Sequence, residues 1–161
     1  MLENRDEILK SDDESLSLSC ELEFFKGSGN GGQKRNKTSS AARVRLIGTE
    51  YSASDCTERS QHRNRAAALA KLRLTVAYGE RVSPPVPPSR LECALDHPEY
   101  PLWLAHLLDI AEAADWELKP AAGLLGCTPT ALVKKLARDP TLWQFANAAR
   151  ARRGQPPLKR P

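Results

Sequence analysis

Long apolar runs are missing from this chain. No stretch of about 18 consecutive apolar residues occurs in its 161 residues, which excludes a membrane-spanning helix. Cysteine is scarce and badly placed for metal chemistry. Cys20, Cys56, Cys93 and Cys127 lie 36, 37 and 34 residues apart, with no CxxC pair, and His62, His97 and His106 do not supply the short ligand spacings of a zinc site. The first fifteen residues, MLENRDEILKSDDES, have no apolar core and too much acid for a secretory signal or a transit peptide. The expectation is a cytoplasmic protein with four reduced thiols, no metal, no cofactor and no membrane partner. The length is too small for a (β/α)₈ barrel, which needs roughly 200 residues. A hydrophobic share of 40% is too high for a wholly disordered chain.

The formal net charge of +4 hides an asymmetry. Residues 1–25 carry 2 basic and 8 acidic side chains, residues 26–90 carry 13 and 4, and residues 91–161 carry 9 and 8. The middle segment has the charge of a surface that meets a polyanion. A solvated face explains charge alone equally well.

Leu16, Leu18, Cys20, Leu22 and Phe24 alternate with polar residues, predicting a strand over 16–25. Residues 38–47 alternate again, with Ala42, Val44 and Leu46 on one face and Arg43 and Arg45 on the other. A turn at Gly48–Thr49 leads to a short third strand over 50–56. A helix follows from about Arg59 to Tyr78, capped by Asp55 or Thr57 and closed by Gly79, with His62, Ala66, Leu69, Leu72 and Val76 on its buried face. The linker SPPVPP at 83–88 precedes helices over 101–114, 120–125, 129–138 and 140–153, the last two opened by Thr128–Pro129 and Asp139–Pro140. The predicted class is α+β: a small antiparallel sheet packed by one long helix, with a protruding glycine-rich loop, followed by a small all-α helical unit. The predicted organisation is a disordered acidic segment at 1–15, a domain at 16–80, a Pro-rich linker at 81–100, a helical domain at 101–154 and an unfolded tail at 155–161.

The loop after the first strand decides the chemistry. Gly27, Gly29 and Gly32 satisfy G-x-G-x-x-G, but strands follow where a dinucleotide fold requires a helix. Lys37–Thr38 lacks the glycine of a Walker loop, because position 36 is Asn36. A flexible linker does not explain twelve residues between two strands that should be neighbours. Folded back on itself, such a loop reaches roughly 20 Å from the sheet. At its tip stand Gly31, Gly32 and Gln33. Two glycines let the main chain approach a ligand closely. A carboxamide both donates and accepts hydrogen bonds, and a neighbouring backbone N–H can stabilise an oxyanion. A tip without a nucleophilic side chain suits hydrolysis of an already activated ester.

Two segments, GSGNGGQKRNKTSSAARVRL at 27–46 and ERSQHRNRAAALAKLR at 58–73, make residues 21–76 resemble the catalytic domain of the class I peptide chain release factors. The resemblance implies hydrolysis of the peptide–tRNA ester in the peptidyl transferase centre of the ribosome. Gln33 would position the attacking water, and its backbone N–H would stabilise the transition state or the leaving 3′ oxygen. Gly31 and Gly32 would let the tip reach the peptidyl-tRNA end. The resemblance also implies a glutamine methyltransferase that modifies Gln33. Lys34, Arg35, Asn36, Lys37, Arg43, Arg45, Arg59, Arg63 and Arg65 are assigned to large-subunit rRNA, with Arg59 and Asn64 alternatively structural and Asn36 alternatively a brace for the loop base. The chain leaves no room for stop-codon reading, so the expectation is a stand-alone, codon-independent rescue factor. Residues 121–136 fit either a helix-turn-helix or a plain helical hairpin. A competing function is therefore a non-catalytic RNA- or DNA-binding regulator.

Overall fold

The computed structural model describes residues 4–26 and 40–161 and divides between Glu80 and Arg81 into two compact units. The first unit contains two short helices, α1 (Arg5–Lys10) and α2 (Asp13–Leu18), then β1 (Cys20–Phe25), β2 (Ala41–Leu46), β3 (Ser52–Asp55) and the long helix α3 (Gln61–Gly79). The strands form an antiparallel sheet in the order β1-β2-β3. Ala42, Val44 and Leu46 are buried while Arg43 and Arg45 point outward, so the period-two reading of β2 holds.

The helix α3 covers β2 and β3. Its buried stripe is Asn64, Ala68, Leu69, Leu72, Val76 and Ala77. His62, expected on that stripe, is exposed. The N-cap is Ser60, whose side chain accepts from the Arg63 amide, in place of Asp55 or Thr57. Asp55 is engaged elsewhere: it accepts from Thr57 Oγ1 at 2.6 Å, Thr57 N at 2.9 Å and Lys71 Nζ at 2.6 Å. The Lys71 bond, then the Thr57 hydroxyl, hold its pKa down to about 2. At the other end of α3, Gly79 leaves room for the Tyr51 ring. A Cβ there would meet Tyr51 Cε1 at 2.5 Å.

The strand predicted over 16–25 begins only at Cys20, and the acidic segment predicted to be disordered is helical from Arg5 to Leu18, apart from the break at Ser11–Asp12. Tertiary contacts override the local pattern here. Leu16 is buried, whereas Leu18 is 86% exposed, as a helix dictates and an alternating strand forbids. Ile8 and Leu9 are buried, Asp12 caps α2 by accepting from Ser15 N, and Arg73 of α3 pairs with Asp13 at 2.8 Å. Arg5 is buried, with Nη2 on Asp6 at 2.7 Å and Nη1 donating to the Glu80 carbonyl at 3.3 Å. Leu22 and Phe24 keep their period-two facing but are each 40% exposed, because α3 does not extend over the edge strand β1.

The second unit, 81–161, packs α4 (Tyr100–Ala113), α5 (Leu118–Leu124), α6 (Pro129–Ala137) and α7 (Pro140–Arg152). Its interior is Leu104, Leu107, Leu108, Ile110, Leu132, Leu136, Leu142 and Ala146, with Trp103 and Trp116 also buried. Thr128 accepts from Ala131 N and Asp139 from Thr141 N, each preceding a proline at the first helical position. The Pro-rich segment is fastened to the helices: Val82 N donates to Asp109 Oδ1 at 3.0 Å, Trp103 Nε1 to the Arg90 carbonyl at 3.2 Å, and Lys135 Nζ to Glu92 at 3.1 Å. The tail expected to be unfolded is likewise held. Leu158 N donates to Asn147 Oδ1 at 2.7 Å, Arg150 Nε to the Pro156 carbonyl at 3.1 Å, and the Arg160 guanidinium lies 5.9 Å from the Trp143 ring centre. All four cysteines are free thiols, and among the described residues no helix is long and apolar enough to cross a membrane.

Candidate active-site stem and its basic surround

Gly31, Gly32, Gln33, Lys34, Arg35, Asn36 and Lys37 lie outside the described residues. The structure does fix the two ends from which their segment departs. The last ladder pair is Phe25 with Ala41, so the segment joins two adjacent antiparallel strands at one end of the sheet. On the leading side, the Arg43 guanidinium sits 5.0 Å from the Phe25 ring centre and pairs with Glu23 at 3.2 Å. Such a half-exposed pair contributes little to stability but orients the arginine.

On the returning side the bond comes from α3. Asn64 is fully buried. Its Nδ2 donates to the Ser40 carbonyl at 2.7 Å and to the Glu58 carbonyl at 2.8 Å, while its Oδ1 accepts from Glu58 N at 2.9 Å. One carboxamide thus ties the end of β2, the β3–α3 connection and the first turn of α3. Turning the amide over would set Oδ1 against two carbonyl oxygens, so the network allows one orientation. The structural alternative given for Asn64 is the geometry found.

The basic residues separate into groups. Arg59 and Arg63 are exposed at the start of α3, the end of the helix that Asn64 bonds to Ser40. Arg63 pairs loosely with Glu58, at 3.7 Å between exposed groups. Arg43 and Arg45 share an outward face with Glu23 and Glu21, their partners in the β1–β2 register. That face is mixed in charge, where β2 alone reads as basic. Arg65 turns away: its Nη2 donates to Ser17 Oγ of α2 at 2.7 Å, which gives it a structural bond in place of a purely RNA-facing role. Arg73 is held in the same way, between Asp13 and the Ser11 carbonyl, at 2.8 Å each. Sequence reasoning gave the Asp55–Lys71 pair no role. Its signal, an acid at the end of β3 and a lysine 16 residues on, is too weak to find without the fold. In the second unit Lys135 of the helix-turn-helix-like segment is buried against Glu92, and only Lys134 of the two lysines is exposed.

Comparison with known proteins finds relatives of part of the chain. Residues 15–85 match the RF-1 domain. Over 61 residues the chain is 46% identical to peptide chain release factor 2 of Paramagnetospirillum magneticum (strain ATCC 700264 / AMB-1), a match covering 38% of this chain and 16% of that protein. Over 60 residues it is 42% identical to peptide chain release factor 1 of Xylella fastidiosa (strain 9a5c), covering 37% of this chain and 17% of the relative. The match thus spans about a sixth of the length of these relatives. No solved structure matches the chain.

Proposed function

Since residues 15–85 carry an RF-1 domain, the catalytic-domain family of the class I release factors, we propose that this protein hydrolyses the ester between peptide and tRNA on the ribosome. The observation that carries the reading is Gly31-Gly32-Gln33 in the connection between β1 and β2, inside that domain. In the reaction a water oxygen bonds to the ester carbonyl carbon, and the bond from that carbon to the tRNA 3′ oxygen breaks. The water's hydroxyl stays on the peptide and its other proton goes to the leaving oxygen. The Gln33 carboxamide orients the water, and its backbone N–H faces the charge that develops on oxygen. Gly31 and Gly32 keep side chains out of the approach. Lys34, Arg35, Lys37, Arg59 and Arg63 contact rRNA phosphates around the peptidyl transferase centre, with Arg43 and Arg45 contributing from the sheet. Gln33 is also the proposed acceptor for a glutamine methyltransferase.

The finer reading is release without a stop codon, by a stand-alone rescue factor working in the cytoplasm. It takes the RF-1 match at residues 15–85 together with the compact helical unit that follows it at 81–161. Two basic side chains near the end of the helical unit are engaged within it. Arg150 bonds the Trp116 and Pro156 carbonyls, and Arg153 pairs with Glu112. The rival regulator reading is weakened by the burial of Lys135 and its pairing with Glu92.

The test is peptide release from ribosomes stalled on messages of graded length beyond the P site. Gln33→Ala removes the carboxamide that orients the water but keeps the backbone N–H, and should cut release by about 10²-fold, the scale of misplacing a reacting group, with ribosome affinity nearly unchanged. Full activity in both Gln33→Ala and Gly32→Ala would end the catalytic assignment. Release that requires a stop codon would end the codon-independent one.

A further inference from the structure

Among the described residues, one polar constellation touches the chain next to the proposed catalytic segment. It is the buried Asn64 carboxamide, bonded to the chain at the returning end of the Gly-Gly-Gln segment. Ser40 lies one residue beyond the last ladder pair, Phe25 with Ala41. Its carbonyl is held by Asn64 Nδ2, from 24 residues further along the chain. The clamp is anchored in turn, because Oδ1 and the second Nδ2 hydrogen hold both the N–H and the carbonyl of Glu58. The amide of Asn64 itself makes the first-turn bond of α3, to the Ser60 carbonyl at 3.0 Å. The side chain is wholly screened from water, so no solvent competes for these bonds.

We infer that Asn64 is a positioning residue for the proposed hydrolysis: it fixes the direction in which the chain leaves β2 toward Gln33. The inference rests on the reading above, in which Gln33 acts at the ester. Six residues separate Gln33 from Ser40. A shift at the anchored end therefore reaches the tip as a displacement or a wider spread of positions, and reacting groups tolerate little of either. No other side chain reproduces the pattern. Aspartate keeps the shape but loses both donors and sets a carboxylate against two carbonyls. Serine keeps one donor on a shorter arm. Glutamine moves the amide outward by one methylene.

The experiment compares full-length Asn64→Asp and Asn64→Ser with Leu69→Ala. Leu69 is a buried neighbour on the same helix that makes no bond to the loop stem. Each variant is assayed for peptide release under saturating and limiting stalled ribosomes, well below its own melting temperature. The expected result is a ten- to hundredfold fall in kcat for the Asn64 variants, with half-saturating ribosome concentration within about twofold of the parent. Leu69→Ala, at equal or greater loss of melting temperature, should keep kcat. An Asn64 variant that loses no more kcat than Leu69→Ala overturns the inference, as does a loss confined to ribosome affinity. Failure of both Asn64 variants to fold would assign the clamp to stability alone, and overturns it too. Gln33→Ala, run alongside, separates the two claims. If it matches the parent, the catalytic reading itself has failed. If it is inactive while the Asn64 variants behave like Leu69→Ala, only the positioning role has.

Discussion

The two units are held together in different ways. The helical unit has the larger apolar interior, led by Leu104, Leu107, Leu108 and Ile110 of α4, and its buried polar groups fasten the segments around that interior: Asp109 holds Val82, Lys135 holds Glu92 and Arg150 holds the Trp116 carbonyl. The sheet unit has a thinner interior and leans on buried polar side chains at the ends of its elements. Asn64 holds a loop stem, Asp55 fastens β3 to α3 through Lys71, and Arg5 fastens α1 to the end of α3. Directional bonds take over where shape-filling contacts stop.

This contrast can be broken by mutation. The largest effect on stability should come from Leu108→Ala, at a fully buried site of α4. A loss of about 2–5 kcal/mol is expected, read by denaturant unfolding, while release at low temperature stays near the parent value. A matching loss of release would show that the units are not functionally separable. Next comes Gly79→Ala. The added methyl collides with the Tyr51 ring and should cost about 1–3 kcal/mol in the sheet unit, visible as a lower melting temperature. Tyr51→Ala in the same background should relieve part of the collision.

The smallest effect should be Asp55→Asn, which weakens a charge-assisted bond to a half-exposed lysine, at about 1–2 kcal/mol near neutral pH. Asp55 has its pKa lowered in the folded state, from 3.8 to about 2. Its contribution is therefore complete above pH 4 and is lost as the pH falls toward 2. The parent should lose more stability than Asp55→Asn across that window. Parallel pH profiles would assign the acid sensitivity to other groups.

Much of this was legible in the residues. The alternation of β2 and the caps of α6 and α7 are local signals, and the structure agrees with them. The Gly-Gly-Gln reading rests on composition and on the resemblance, and its residues lie outside the described ones. The misreadings share a cause. Leu16 and Leu18 alternate like a strand, but the burial of Leu16 with Ile8 and Leu9 makes the segment helical. The tail looked free because its anchors, Asn147 and Arg150, are side chains of a preceding helix. Asn64 was legible only as a structural alternative to an RNA-facing residue; its partner at Ser40 is set by topology.

Arg73 and Arg65 grip Ser11, Asp13 and Ser17, and Ile8 and Leu9 fill the space between α1 and its neighbours. Trimming the protein to the segment that matches the RF-1 domain, starting at residue 15, would discard α1 and the first two residues of α2, Asp13 and Glu14. The product would carry a wetted greasy cleft along its longest helix, with the Arg73 guanidinium stripped of both partners. Its weakness in a release assay would then reflect surgery at the amino terminus rather than any defect in the chemistry.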